Sequence, residues 1–119
     1  MTGNELAQAV FSRVDAMDAQ GFASYLTADS KFVFGSWPAA EGPEAAAQAV
    51  GDFFGGIDGI SHEIQDVWEN GDTVSVRLAV TYTRKDGTSV TLPCANIWKC
   101  EGGKISDYRI YMDVNPVFA

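Results

Sequence analysis

The chain has 119 residues, 46% hydrophobic and 20% charged, a globular composition that excludes a disordered chain. Sixteen acidic residues against eight Lys and Arg leave a net charge of −8. Phosphate backbones and anionic lipid surfaces call for a concentrated basic patch, so no nucleic-acid and no membrane partner is expected. A chain of this length buries roughly 65–70% of its unfolded surface and holds a core without staples. A single domain over residues 1–119 is the expectation.

The opening Met-Thr-Gly-Asn-Glu has no basic stretch followed by an apolar run, so no secretory signal is expected. No segment approaches the ~20 apolar residues of a membrane span. Cys94 and Cys100 on one strand would stand about 20 Å apart, beyond disulfide reach. Two free thiols suit a reducing, cytoplasmic setting. Two cysteines and one histidine at wide spacing do not make a metal site, and none is expected.

Thr2-x-x-Glu5 reads as a capping box that opens a helix. Leu6, Val10, Phe11, Val14 and Met17 follow at helical spacing. Gly21 breaks the pattern, and Phe22, Tyr25 and Leu26 suggest a short second helix or turn. Lys31–Phe34 reads as a short strand, and Ser36–Gly42 as loop. Pro43 and Glu44 suit the first turn of another helix, whose apolar face is Ala46, Val50, Phe53, Phe54 and Ile57. Four β-rich runs come next: Ser61–Trp68, Thr73–Arg84, Ser89–Cys100 and Lys104–Asp113. Asn70-Gly71, Asp86-Gly87 and Gly102-Gly103 separate them, the first two being type I′ hairpin signals. Helices followed by an antiparallel meander predict an α+β fold with helices covering one sheet face.

Strand parity sorts the meander. Val74, Val76, Leu78, Val80 and Tyr82 share one face, as do Val90, Leu92, Cys94, Asn96, Trp98 and Cys100 on the next strand, and Ser106, Tyr108, Ile110 and Met112 on the last. The face is apolar except chiefly for Tyr82, Asn96 and Tyr108. It is either a plain core with those polar groups satisfied, or one wall of a cavity with a few convergent polar tips. Pro93 inside a strand marks an edge or a bulge, and a bulge would shift parity after it.

The order of these pieces resembles the SnoaL-like branch of the nuclear transport factor 2-like superfamily over nearly the whole chain. The resemblance rests on Leu26–Asp29 before the short strand, Gly42–Ala45 opening the later helix, the hairpin Val80–Gly87, and the ending Gly103–Asp113. It implies a cone-shaped α+β barrel with N-terminal helices on a curved sheet, a deep pocket and no cofactor. It also implies a homodimer packed through the outer sheet face, here Ala79, Ala95, Ile97 and Tyr111. Of the ketosteroid isomerase residues of the superfamily, a Tyr and two Asp, the Tyr falls at Phe11 and the two Asp near Gly35 and near Ala95. The Asp-Arg-Asp set of limonene-epoxide-hydrolase-like members falls near Leu78, Val80 and Ile110, all apolar, with Arg77 and Arg109 one residue off on the opposite parity. Neither set can work with the residues present.

Other residues remain for chemistry. His62, the only histidine, is the natural acid/base, or else a strand-start histidine solvated or bonded to backbone. It shares parity with Ile64, Asp66 and Trp68, and Asp66 lies too far along the strand to orient it. Asn96 can donate to a substrate carbonyl or enolate, with Tyr108 or Tyr82 adding hydroxyls. The expected lining is Phe32, Phe34, Trp37, Leu78, Val80, Tyr82, Leu92, Cys94, Trp98, Ile110 and Met112. Trp37 either stacks on a ring-shaped ligand or anchors its loop. Cys94 reads as a small hydrophobe. Asp113 either caps the turn after the last strand or, through a bulge, faces the pocket.

The reading is a protein that encloses an apolar small molecule. As an enzyme it would be a cofactor-independent isomerase, cyclase or dehydratase for a polyketide-, steroid- or terpenoid-like substrate. The alternatives are a non-catalytic binding or accessory domain and a homodimerising scaffold with a filled interior.

Overall fold

The computed structural model describes residues 1–119. Helix α1 (Gly3–Asp15) starts at the expected capping box: Thr2 Oγ1 accepts from the Glu5 N–H, and Glu5 accepts from the Thr2 N–H. It buries Leu6, Ala7, Val10 and Phe11. The break comes earlier than Gly21, at Met17, whose φ of 55° puts a non-glycine residue in the left-handed region. Asp18 then caps α2 (Ala19–Ala23) by accepting from the Gly21 N–H, so Gly21 lies inside the second helix.

Strand β1 (Leu26–Phe34) is longer than the four residues expected, and its register against β6 shifts between Leu26 and Lys31. The segment read as loop contains a two-residue strand, β2 (Ala40–Glu41), paired with Phe32 and Lys31. Helix α3 (Pro43–Phe54) begins with its proline in the first turn and buries Ala46, Ala47, Val50 and Phe54. The meander is β3 (Gly59–Asn70), β4 (Thr73–Thr83), β5 (Ser89–Glu101) and β6 (Lys104–Tyr111), followed by a 3-10 turn at Asn115–Val117.

One six-stranded sheet results, in the order β2-β1-β6-β5-β4-β3. All pairings are antiparallel except β1 with β6, which is parallel and was not legible in the meander pattern. The three hairpins differ in their turns. Only Gly102-Gly103, between paired Glu101 and Lys104, holds both central residues at positive φ (59° and 81°), as a type I′ turn needs. Between paired Asn70 and Thr73 only Gly71 is positive, which is the type II′ pattern.

The alternation places the core as expected. Val74, Val76, Leu78, Val80 and Tyr82 are buried under the helices, and so are Cys94, Asn96 and Trp98. Pro93 causes no bulge, since it pairs with Ala79 in unbroken register. Strand β6 pairs no further than Ala95, so Pro93 has a free side where a missing N–H leaves no ladder bond unmade. The bulges lie elsewhere, between Ile64 and Asp66 and between Lys99 and Cys100. The first turns Asp66 away from the His62 face: it aligns with Arg77 and forms an outer-face ion pair of 2.5 Å. Trp68 follows it outward and is 54% exposed. Ile97 and Tyr111 stand exposed on the same outer face. No helix is long and apolar enough to cross a membrane.

Leu78 is fully buried at the centre of this face. In urea unfolding, Leu78→Ala is expected to lower stability by about 3 kcal/mol through lost burial and a residual cavity. Arg77→Ala, which breaks only an exposed ion pair on the opposite face, is expected to cost less than about 1 kcal/mol.

Candidate functional site

A cavity of about 80 Å³ lies between the helices and the inner sheet face, with 17 of its 20 lining residues hydrophobic. Helix α1 contributes Phe11 and Val14, α2 Phe22, and α3 Ala49, Val50, Phe53 and Phe54. From β1 and the loop after it come Phe32, Phe34, Trp37 and Pro38. The sheet floor carries Ile60, His62, Tyr82, Cys94, Asn96, Tyr108, Ile110 and, just past β6, Met112.

His62 is held by two residues, Asp15 and Phe11. Its ring Nδ1 lies 2.6 Å from the Asp15 carboxylate, whose second oxygen accepts from the His62 backbone N–H at 3.1 Å. Phe11 stacks on the ring face at 4.5 Å and 19°. The side chain is 8% exposed, against 31% for Asp15. An ionised carboxylate only accepts, so Nδ1 carries the proton and a neutral ring keeps Nε2 as its free acceptor. This arrangement fits a general base with a fixed tautomer.

Sequence reasoning missed Asp15. Its partner is 47 positions away, so no local pattern shows the contact. One local signal did exist. A carboxylate at the C-terminal end of a helix opposes the helix dipole, and such local inconsistencies concentrate at functional sites.

Asn96 is 2% exposed and its orientation follows from chemistry. The Trp98 indole N–H, a donor only, lies 3.2 Å from Asn96 Oδ1. The amide nitrogen is left with a weak contact to Cys94 Sγ at 3.5 Å, so Asn96 offers the cavity N–H donors rather than an acceptor. His62 aligns with Val80 and Leu92, and Asn96 stands four residues further along β5. The two therefore face the cavity from a diagonal across three strands. Phe11 spans that diagonal, stacked on His62 and 5.6 Å from Trp98.

The tyrosines are less free than the sequence suggested. The Tyr82 hydroxyl donates to Met112 Sδ at 3.3 Å. Tyr108 is packed among Phe22, Phe32 and Trp98 at ring separations of 5.1–5.4 Å. Burial pushes both phenols well above their ordinary range, with Cys94 adding to it, so neither serves as a base. Burial likewise pushes the Cys94 thiol up to about 12, against a smaller opposing pull from the Asn96 amide.

Of the eleven expected lining residues, Phe32, Phe34, Trp37, Tyr82, Cys94, Ile110 and Met112 line the cavity. Leu78, Val80, Leu92 and Trp98 do not. Leu78, Val80 and Trp98 are at most 1% exposed, packed into the solid part of the core. Parity gave them the right face but could not tell where on that face the helices leave a gap. Leu92 is half-buried in the part of β5 that β6 no longer flanks. Trp37 stacks on Phe34 at 5.0 Å and is 48% exposed, which puts it at the mouth. Asp113 is exposed and accepts from the Asn115 N–H at 3.0 Å; it caps the turn after β6 and does not face the cavity.

The curved sheet with helices over one face is the fold of an NTF2-like protein from Burkholderia pseudomallei, 16% identical with a TM-score of 0.87 over 99% of this chain and 96% of that one. The model of the SnoaL-like domain family matches residues 7–108, and the chain belongs to that family. Similar solved structures share the fold at low identity. A protein of ketosteroid isomerase-like fold from Catenulispora acidiphila, in complex with trimethylamine, is 17% identical with a TM-score of 0.88. The match covers 95% of this chain and 88% of that one. TerC, co-crystallised with polyporic acid, is 20% identical with a TM-score of 0.84, over 98% of this chain and 95% of its own. An M. tuberculosis LEH-like epoxide hydrolase is 16% identical with a TM-score of 0.80, over 98% of this chain and 86% of its own. No match is found among curated proteins.

The raised Cys94 pKa has a testable sign. Only the thiolate alkylates readily, and at pH 8 Cys94 is a neutral, buried thiol. Iodoacetamide at pH 8 is expected to leave Cys94 unmodified in the folded protein and to modify it after denaturation, read by peptide mass spectrometry.

Proposed function

We propose that the protein binds an apolar small molecule in this cavity and moves a proton on it without a cofactor, as an isomerase, cyclase or dehydratase does. The observation that carries the reading is the Asp15–His62 pair at 2.6 Å with its ring on the cavity wall. In the proposed cycle Nε2 of neutral His62 takes a proton from a carbon beside a carbonyl. Asp15 stabilises the imidazolium that forms. The Asn96 N–H groups, a diagonal away across three strands, hold an oxygen elsewhere on the ligand and orient it. His62 then returns the proton to another atom of the same molecule, or to a departing hydroxyl. Small molecules bound to the Catenulispora protein and to TerC support an enclosed-ligand reading of this fold.

A non-catalytic binding domain is the second reading. It is favoured by the family resemblance, which puts Phe11, Gly35 and Ala95, and Leu78, Val80 and Ile110, at or near the positions of the acids and bases of two known chemistries. Proton exchange separates the two. In D2O, with cyclohexanone as probe, the catalytic reading expects deuterium to replace the protons beside the carbonyl faster than in buffer, followed by proton NMR. His62→Ala is expected to reduce the protein-dependent rate by about 10²-fold or more, and Asp15→Asn to reduce it with the probe still bound. Binding without exchange would establish the second reading.

The outer face is proposed as a homodimer interface. Ala95 and Tyr111 are aligned across β5 and β6, with Ile97 beside them and Ala79 on β4. Light scattering is expected to give twice the chain mass, and Ile97→Glu the single mass. The free cysteines fit a cytoplasmic setting.

A further inference from the structure

Resting on the small-molecule reading above, we propose that the cavity selects an uncharged ligand no larger than one six-membered ring, bearing an oxygen that accepts from Asn96. Size, charge and the direction of the Asn96 hydrogen bonds each bear on this.

The space is about 80 Å³. An apolar protein cavity that takes up benzene measures about 150 Å³, so even one ring requires the walls to part. Most of the wall cannot. Phe22, Phe32 and Tyr108 lock together at ring separations of 5.3–5.4 Å, and all three are buried. The yielding side is the mouth, where Phe34 packs between Trp37 at 5.0 Å and Phe53 at 5.4 Å and none of the three is fully buried. Displacing that stack opens room for one ring. A second fused ring needs more room at that mouth than displacing the stack provides.

No basic side chain except His62 lines the cavity. Arg13, Arg77, Lys85 and Arg109 pair with Asp18, Asp66, Asp58 and Asp107 at the surface. Arg84 donates to the backbone carbonyls of Pro116 and Val117, and Lys31, Lys99 and Lys104 are exposed. A carboxylate ligand would find no counter-charge beyond His62, which is already paired with Asp15, and that is costly in an apolar site. The upward pKa shifts of Tyr82, Tyr108 and Cys94 report the same penalty on negative charge. A cation fares no better: no carboxylate lines the cavity, and the Asn96 oxygen already accepts from Trp98.

A matched probe set tests this by calorimetry and by the NMR signal of the Asn96 side-chain amide. Cyclohexanone is the neutral ring, cyclohexanecarboxylate and cyclohexylammonium its charged counterparts, and 2-decalone the fused pair. Cyclohexanone is expected to bind and shift the Asn96 amide, with the other three at least tenfold weaker. Phe34→Ala, or Phe53→Ala should the first not fold, is expected to bring 2-decalone within about threefold of cyclohexanone. If cyclohexanone binds but a charged or fused probe binds equally well, this proposal is overturned and the small-molecule reading stands. If no probe binds, both are overturned.

Discussion

The structure depends on one constraint: two long neighbouring strands present every second residue to the same side, and that side is apolar. Val74 to Tyr82 on β4 and Cys94 to Trp98 on β5 form a greasy surface that water cannot be allowed to cover. Three helices totalling thirty residues, by their bounds of thirteen, five and twelve, are what the chain supplies to cover it. Helix α1 seals the part over Trp98 through Phe11. Toward α3 and the end of β1 the cover is looser, and the hollow is the space left over. Its aromatic walls follow from that origin, because the residues lining it are the same kind that fill the core elsewhere.

That constraint explains what could be read in advance. The limits of the four meander strands, the capping box, Pro43 at the start of α3 and the buried face are all consequences of short-range periodicity or local hydrogen bonding, and they stand within a few residues of expectation. The parallel β1–β6 pair was out of reach because it joins segments about eighty positions apart with no shared local signature. Pro93 left two readings open for a different reason. A missing N–H signals an edge or a bulge equally, and only the length of the neighbouring strand decides between them.

The site was legible in kind more than in place. Parity brought His62, Asn96 and Tyr108 to the right side of the sheet, and all three line one cavity. Parity failed at Asp66, where a single inserted residue reversed the face, and it could not separate the cavity wall from the solid core at Leu78, Val80 and Trp98. The group that orients His62 came from a helix end rather than from the strand that carries it. A helix laid across a sheet makes such contacts at its ends, and those depend on packing angles that periodicity does not encode.

The bond from the Trp98 indole to Asn96 gives that tryptophan a role beyond filling space. A side-chain amide is nearly symmetric in shape and opposite in polarity at its two tips, so whichever neighbour pins one tip decides what the other can greet. Trading the indole for a phenyl ring would preserve most of the bulk yet release the amide to swivel. A cavity that meets the amide's N–H groups would then meet its oxygen as well, with no change to any residue on the cavity wall. In a scaffold that hosts many chemistries, such remote swivelling offers a short mutational route from one clientele to another.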